Sequence, residues 1–217
     1  MVKKKQLFKR ILAASLAVLT AVSVVPTEIF AASEKASIHF EYAYDSKGNT
    51  IKYQQTYSHN GITCGKAGEA RTRIYADGEN AYCIQPGISL HTGDKLEKDA
   101  SAAWNALSSN EKAAVNLSLL YGAQGNLSGL SGNEDEKVLA TQVVLWEIVS
   151  GCRNSTAPYK RTNAKFFNGL CANGANAGVA KAYAQIVEAM EQHNMIAVFG
   201  TLWKRKDKKE VQNGTDE

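Results

Sequence analysis

The apolar residues of this chain change their spacing once, near Gly87, and that change sets the fold class. From Ser37 to Tyr57 they recur at every second position, as Ile38, Phe40, Tyr42 and Tyr44, then Ile51, Tyr53 and Tyr57. Asp45-Ser46-Lys47-Gly48-Asn49 between the two runs is turn chemistry, so the spacing predicts a β-hairpin. A second hairpin is expected from Arg71 to Tyr75, turning at Asp77-Gly78 and returning through Asn80 to Ile84, with Cys83 on the returning strand and Pro86-Gly87 ending it. Beyond Gly87 the apolar residues return every third or fourth position. A chain that runs strands first and helices second packs as α+β, here a β-rich part over 37–87 and a helical part over 99–194, together one domain over 33–200.

The helical part opens at Ala100–Leu107. Ser108-Ser109-Asn110-Glu111 is a capping box that starts a helix with Ala114, Leu117, Leu120 and Tyr121 on one face, stopped by Gly122. Asp135–Val149 is the next helix, closed by Gly151. Residues Asn154–Gly178 are rich in Asn, Gly, Thr and Ala without periodicity and read as a surface excursion bracketed by Cys152 and Cys171. A final helix over about 177–192 carries Val179, Tyr183, Ile186, Val187 and Met190 on one side.

The ends of the chain bear on its location. Lys3, Lys4, Lys5, Lys9 and Arg10 precede an apolar run from Ile11 to Val25, and Ala31-Ala32 offers a cleavage point, the pattern of a secretory signal over 1–32. The run is too short for a membrane anchor and Pro26 closes it, so no membrane span is expected after cleavage. Removing this segment takes away those five cations and Glu28, which leaves acidic and basic residues in balance, so the chain's formal charge of +4 gives no support to nucleic-acid binding. At the other end Met195–Trp203 is read as a strand, and 201–217 as a basic, polar, disordered tail.

One residue breaks the helix pattern. On a helical wheel Gln142 falls among Val138, Leu145, Trp146 and Val149. A carboxamide buried without partners costs on the order of 1–3 kcal/mol, so Gln142 either bonds a strand edge, locking helix to sheet, or is used. The use available to it is acylation of a thiol. If Cys83 meets Gln142 in a dry site, attack on the side-chain carbonyl expels ammonia and leaves an internal thioester, with Thr141 and Tyr82 as candidate donors to the oxyanion and Tyr82 and Trp146 as cover against water.

Tyr82-Cys83-Ile84, His91-Thr92-Gly93-Asp94, Leu119-Leu120-Tyr121-Gly122 and Thr141-Gln142-x-x-x-Trp146, in this order and spacing, resemble the thioester domains of Gram-positive surface adhesins. The likeness spans about 74–190. It implies a Cys83–Gln142 thioester between a sheet subdomain and a helical subdomain, with Trp146 shaping the site. It also implies single-turnover capture of a lysine amine on a host surface or matrix protein as an isopeptide bond, rather than enzymatic turnover, and it calls for no cofactor. The implied setting is the cell surface or the medium, although no Leu-Pro-x-Thr-Gly wall-sorting motif is present.

Two other readings compete. Cys83 could serve a cysteine hydrolase or transpeptidase with His59, His91 or His193 as base, Asp94 orienting His91. Alternatively the chain is a disulfide-stapled binding module using Tyr159, Phe166 and Phe167 of the 154–178 excursion. No zinc-ligand spacing occurs. With Cys83 in the thioester, Cys152 and Cys171 are left as a candidate disulfide and Cys64 as a free thiol.

Overall fold

A computed structural model of the protein describes residues 35–97, 102–125 and 129–193. The signal segment 1–32, the Met195–Trp203 stretch and the 201–217 tail lie outside the described residues. Strands β1 (Lys35–Tyr42), β2 (Tyr57–His59), β3 (Ile62–Gly65), β4 (Thr72–Ala76), β5 (Glu79–Ala81) and β6 (Lys95–Glu97) precede helices α1 (Ala102–Ala106), α2 (Ser109–Tyr121), α3 (Glu134–Val149) and α4 (Lys165–Cys171). A last helix, α5, runs over 177–193. The α+β architecture expected from the change in apolar spacing is what forms.

The sheet is antiparallel, in the order β5-β4-β1-β6, with β2 and β3 as a separate pair. The β4–β5 hairpin forms as expected. Asp77 and Gly78 both have positive φ, 51° and 87°, the twist that a two-residue hairpin turn requires, and the register pairs Ile74 with Ala81. The first expected hairpin does not form as a ladder. Asp45–Asn49 turns the chain, but only Tyr44 and Thr50 bridge, and β1 instead pairs with β4, Phe40 opposite Ile74. Period-two spacing shows which face is buried and leaves the choice of partner strand open. The partner chosen here has a paired neighbour of its own, so β1 completes a sheet rather than an isolated ribbon.

Helix α3 occupies the centre. Every residue from Val138 to Ile148 is buried, so the helix has no solvent face, which corrects the single apolar stripe expected of it. Around it lie Ile51, Tyr53 and Tyr57 from the β-rich part, Ala114 and Val115 of α2, Phe166 and Leu170 of α4, and Val179, Ala182, Ile186 and Met190 of α5. Helix α2 begins at the expected capping box but buries Ala114, Val115 and Ser118, leaving Leu120 exposed. Small side chains let α2 approach α3 closely, and the Ser118 hydroxyl satisfies itself on the Val115 carbonyl at 2.7 Å.

The 154–178 excursion also differs from expectation. It contains α4, and Tyr159 and Phe166 are core residues, which removes them from any recognition surface. Phe167 is half-buried and packs on Tyr183 at 4.7 Å between centroids. A buried ion pair holds the excursion down. The Arg153 Nε and Nη2 donate to Glu147 Oε2 at 2.9 and 2.7 Å, Nη1 donates to the Tyr159 carbonyl at 2.7 Å, and the Tyr183 hydroxyl donates to Glu147 at 2.8 Å. Burial pushes the Glu147 carboxyl up, and the Arg153 guanidinium acts against that shift. All four cysteines are free thiols, Cys152 and Cys171 buried among core side chains.

Removing one member of such a pair strands the other in a dry interior. Arg153→Leu is therefore expected to lower stability by about 3–5 kcal/mol in urea denaturation, and the double change Glu147→Leu with Arg153→Leu to recover part of it. Equal losses in the single and double variants would place the cost in packing rather than in the stranded charge.

Candidate functional site

The start of α3 is clamped to the sheet. Asn133 and Glu136 form a capping box, and the acidic first turn suits the positive end of the helix dipole. Asp135 takes Arg73 Nη1 of β4 at 2.6 Å and the Tyr44 backbone N–H at 2.7 Å. Asn80 Nδ2 on β5 donates to Glu134 at 3.3 Å. From that anchor the helix runs two turns along the end of the β4–β5 hairpin, which carries Gln142 to Cys83.

The two residues meet through a pair of hydrogen bonds. The Cys83 N–H donates to Gln142 Oε1 at 2.9 Å, and Gln142 Nε2 donates to the Cys83 carbonyl at 2.8 Å. A backbone N–H only donates and a carbonyl only accepts, so these partners settle which end of the amide is oxygen. The arrangement corrects the place given to Cys83. Strand β5 ends at Ala81, because the backbone groups of Cys83 that would continue a ladder are taken by a side chain of α3. Locking of helix to sheet by Gln142 is thus present in the structure, and Gln142 is 3% exposed.

The neighbouring residues divide by role. The Thr141 hydroxyl donates to the Lys137 carbonyl at 2.9 Å and accepts the Ala123 N–H at 3.0 Å, so it fixes the loop after α2 and is not the donor expected at the Gln142 oxygen. That donor is the Cys83 N–H, which residue types alone do not reveal. The Tyr82 hydroxyl is buried, and burial pushes its phenol up against the opposing effect of the Thr141 hydroxyl beside it. Trp146 is buried in an aromatic group with Tyr57 and Phe166, at 6.4 and 5.7 Å between centroids. Its indole Nε1 lacks a partner.

Cys83 is half-buried, and its thiol donates to the Gln85 carbonyl at 3.3 Å. It faces an open cavity of about 210 Å³ that Trp146, Arg71, Cys64, Phe40 and Leu90 also line. Gly87, at φ +94°, turns the chain beneath Cys64. A Cβ there would sit 3.2 Å from Ile62 and 3.6 Å from the Cys64 sulfur, so the β2–β3 pair and the Cys83–Gly87 segment close on each other across this glycine. Burial raises the Cys64 thiol above its ordinary range.

None of the histidines proposed as bases lines the cavity that Cys83 faces. His59 Nδ1 lies 3.1 Å from Lys165 Nζ, with burial and that cation holding the imidazole low. His91 is exposed beside Asp94, whose carboxylate accepts the His91 backbone N–H at 2.7 Å. His193 contacts the Tyr121 hydroxyl at 2.7 Å. Among the described residues no group of His, Cys, Asp and Glu is arranged to hold a metal ion, and no helix is long and apolar enough to cross a membrane.

Sequence reasoning passed over Arg71 and Cys64 at the cavity. Arg71 and Arg73 at alternate positions of a strand segment were the available signal, since both project to one side. The lock can be isolated from any covalent chemistry. Cys83→Ala keeps both backbone groups that Gln142 bonds, whereas adding Gln142→Ala leaves them unpaired. The double variant is therefore expected to be less stable than Cys83→Ala by about 2–3 kcal/mol in urea denaturation, the cost of leaving the two backbone groups unpaired.

No curated protein and no solved structure matches this chain. Residues 80–192 match the family model for the thioester domain, a stretch that begins in β5, takes in Cys83 and Gln142, and runs to the end of α5. The chain belongs to the thioester domain family.

Proposed function

We propose that Cys83 and Gln142 form an internal thioester and that the chain is an exported adhesin domain that captures a lysine amine of a host surface or matrix protein. The observation that carries this reading is the pairing of the Gln142 carboxamide with the backbone of Cys83. It resembles a hydrogen-bonded pair in an antiparallel ladder, a geometry in which the Cys83 side chain stands out of the plane of the amide. A thiol adds to a carbonyl carbon from that direction.

The chemistry then balances. The Cys83 sulfur bonds to Gln142 Cδ, the thiol proton passes to the departing nitrogen, and ammonia leaves. The oxygen that becomes the oxyanion is Oε1, already 2.9 Å from the Cys83 N–H, the arrangement of an oxyanion hole. Holding both groups in contact replaces a bimolecular encounter. In the second step a neutral amine attacks the same carbon, the Cys83 thiolate leaves and takes up the amine's proton, and the product is a secondary amide at Gln142. The captured molecule stays attached, so the domain acts once and does not turn over.

Export is supported by the basic, apolar and small-residue order of the first 32 residues. The hydrolase reading lacks a base at the thiol, since none of the three candidate histidines lines the cavity that Cys83 faces. The binding-module reading loses Tyr159 and Phe166 to the core. Cys152 and Cys171 are both free thiols in the structure, and the disulfide between them is proposed for the oxidised, exported protein, with Cys64 as its unpaired thiol.

Intact mass tests the reading. The mature chain is expected to be lighter by one ammonia, to gain the mass of a small primary amine on incubation, and to expose one further alkylatable thiol for each amine bound. Cys83→Ala is expected at full mass and inert. A wild-type chain at full mass with Cys83 open to alkylation would leave Gln142 as a lock and nothing more.

A further inference from the structure

Every arginine described near the core has an anionic or carbonyl partner except one. Arg73 pairs with Asp135, Arg153 with Glu147, and Arg161 lies 3.9 Å from Glu147. The Arg71 guanidinium makes no hydrogen bond or ion pair with any described residue. It is held instead by stacking, 4.8 Å from the Trp146 ring centroid and 5.4 Å from that of Tyr53. Its backbone is fixed as well, its N–H donating to Ile51 at 2.8 Å and its carbonyl accepting from Ala43 at 2.9 Å. Stacking occupies the faces of a guanidinium and leaves the N–H edge free to bind an anion.

That cation lines the cavity that holds the Cys83 thiol, and it is the one charged residue among those lining it. A second positive charge stands nearby, since Lys165 acts on the Cys64 thiol at the same cavity. The volume, about 210 Å³, is below the roughly 300–1,000 Å³ of drug-sized sites and suits one or two side chains. A lone ammonium entering this space meets only like charge. An amine accompanied by a carboxylate brings the counter-ion that Arg71 lacks.

Resting on the thioester reading, we propose that Arg71 is a specificity residue. It binds a carboxylate on the molecule that carries the attacking amine, so the site selects a lysine with an acidic residue beside it over an isolated lysine. The carboxylate docks on the exposed edge of the guanidinium and the amine is set over the Gln142 carbonyl. Because Arg71 is pre-set by Trp146 and Tyr53, little side-chain freedom is lost on docking.

The test compares amines of matched basicity on the mature chain, 4-aminobutyrate against butylamine, and the acetylated peptides Gly-Lys-Asp against Gly-Lys-Asn, with adduct formation followed by intact mass. A charge-assisted hydrogen bond at a half-exposed site predicts a preference of about five- to tenfold for the carboxylate-bearing partner in each pair. The preference should shrink at 1 M salt, and in Arg71→Gln the ratio should fall to about one. Arg71→Lys, which keeps the charge without the planar stack, should retain part of it. A wild-type ratio near one, a ratio unchanged in Arg71→Gln, or equal ratios in the Lys and Gln variants would overturn the proposal while leaving the thioester intact. A wild-type chain at full mass would overturn the thioester reading and this one with it.

Discussion

The fold depends on the burial of α3 around its whole circumference. A helix in that position cannot leave a polar side chain to water, so each one it carries must find a partner in whatever packs against it. Glu136 caps its own helix at Asn133 and accepts the Ser46 N–H at 3.3 Å. A Cβ on Gly178, in the first turn of α5, would lie 2.0 Å from its carboxylate, so a larger residue there would have to displace the Glu136 side chain. Thr141 holds the loop after α2, Gln142 holds the end of the β4–β5 hairpin, and Glu147 holds the 152–161 segment and α5 through Arg153 and Tyr183. Four polar residues on one helix thereby fix its surroundings, and the candidate site is one of those four attachments.

This explains what could be read from the chain beforehand. Spacing of apolar residues identified the β4–β5 hairpin, the capping box of α2, the buried side of α5 and the unusual placement of Gln142, because each is a local pattern of side chains against backbone. Partnerships across long stretches of chain were not legible. β1 alternates correctly for a strand but gives no indication that its neighbour is β4 rather than residues 51–57. The 154–178 segment lacks periodicity because its order comes from Arg153 reaching a carboxylate on α3. The same limit applied at the site. Cys83 and Gln142 were visible as a pair, whereas the Cys83 N–H as partner of Oε1, and Arg71 and Cys64 as walls of the cavity, depend on how the β2–β3 pair folds over Gly87.

A lock and a reactive site place different demands on the same glutamine, and on the proposed reading they coincide. Two good hydrogen bonds stabilise the carboxamide in one orientation, which by itself would make it unreactive. On the proposed reading they also keep the carboxamide beside Cys83 and supply a donor at the oxygen that gains charge. Loss of the Nε2–carbonyl bond as ammonia leaves is offset by the covalent bond that replaces it. The Cys83 carbonyl then needs a new donor or water, and on the cavity side of a half-buried residue water is at hand. The proposed reaction therefore exchanges one attachment between helix and sheet for another, without passing through a state in which α3 is detached.

The asymmetry of exposure assigns the two partners different fates. Gln142 is almost wholly buried on the central helix, whereas Cys83 sits at the cavity on an irregular segment past the end of a short strand. On the proposed reading the target amine displaces Cys83 and remains on Gln142, so the captured molecule is tied to the best-packed element of the domain. A pull on the target would be delivered to α3, whose capping box, Arg73–Asp135 contact and Glu147–Arg153 pair spread the load over the sheet, the excursion and α5. Cys83, free again, carries none of it. Had the roles been reversed, with the acyl group on the hairpin segment and the nucleophile on the helix, the load would fall on a short irregular stretch beyond the edge strand β5.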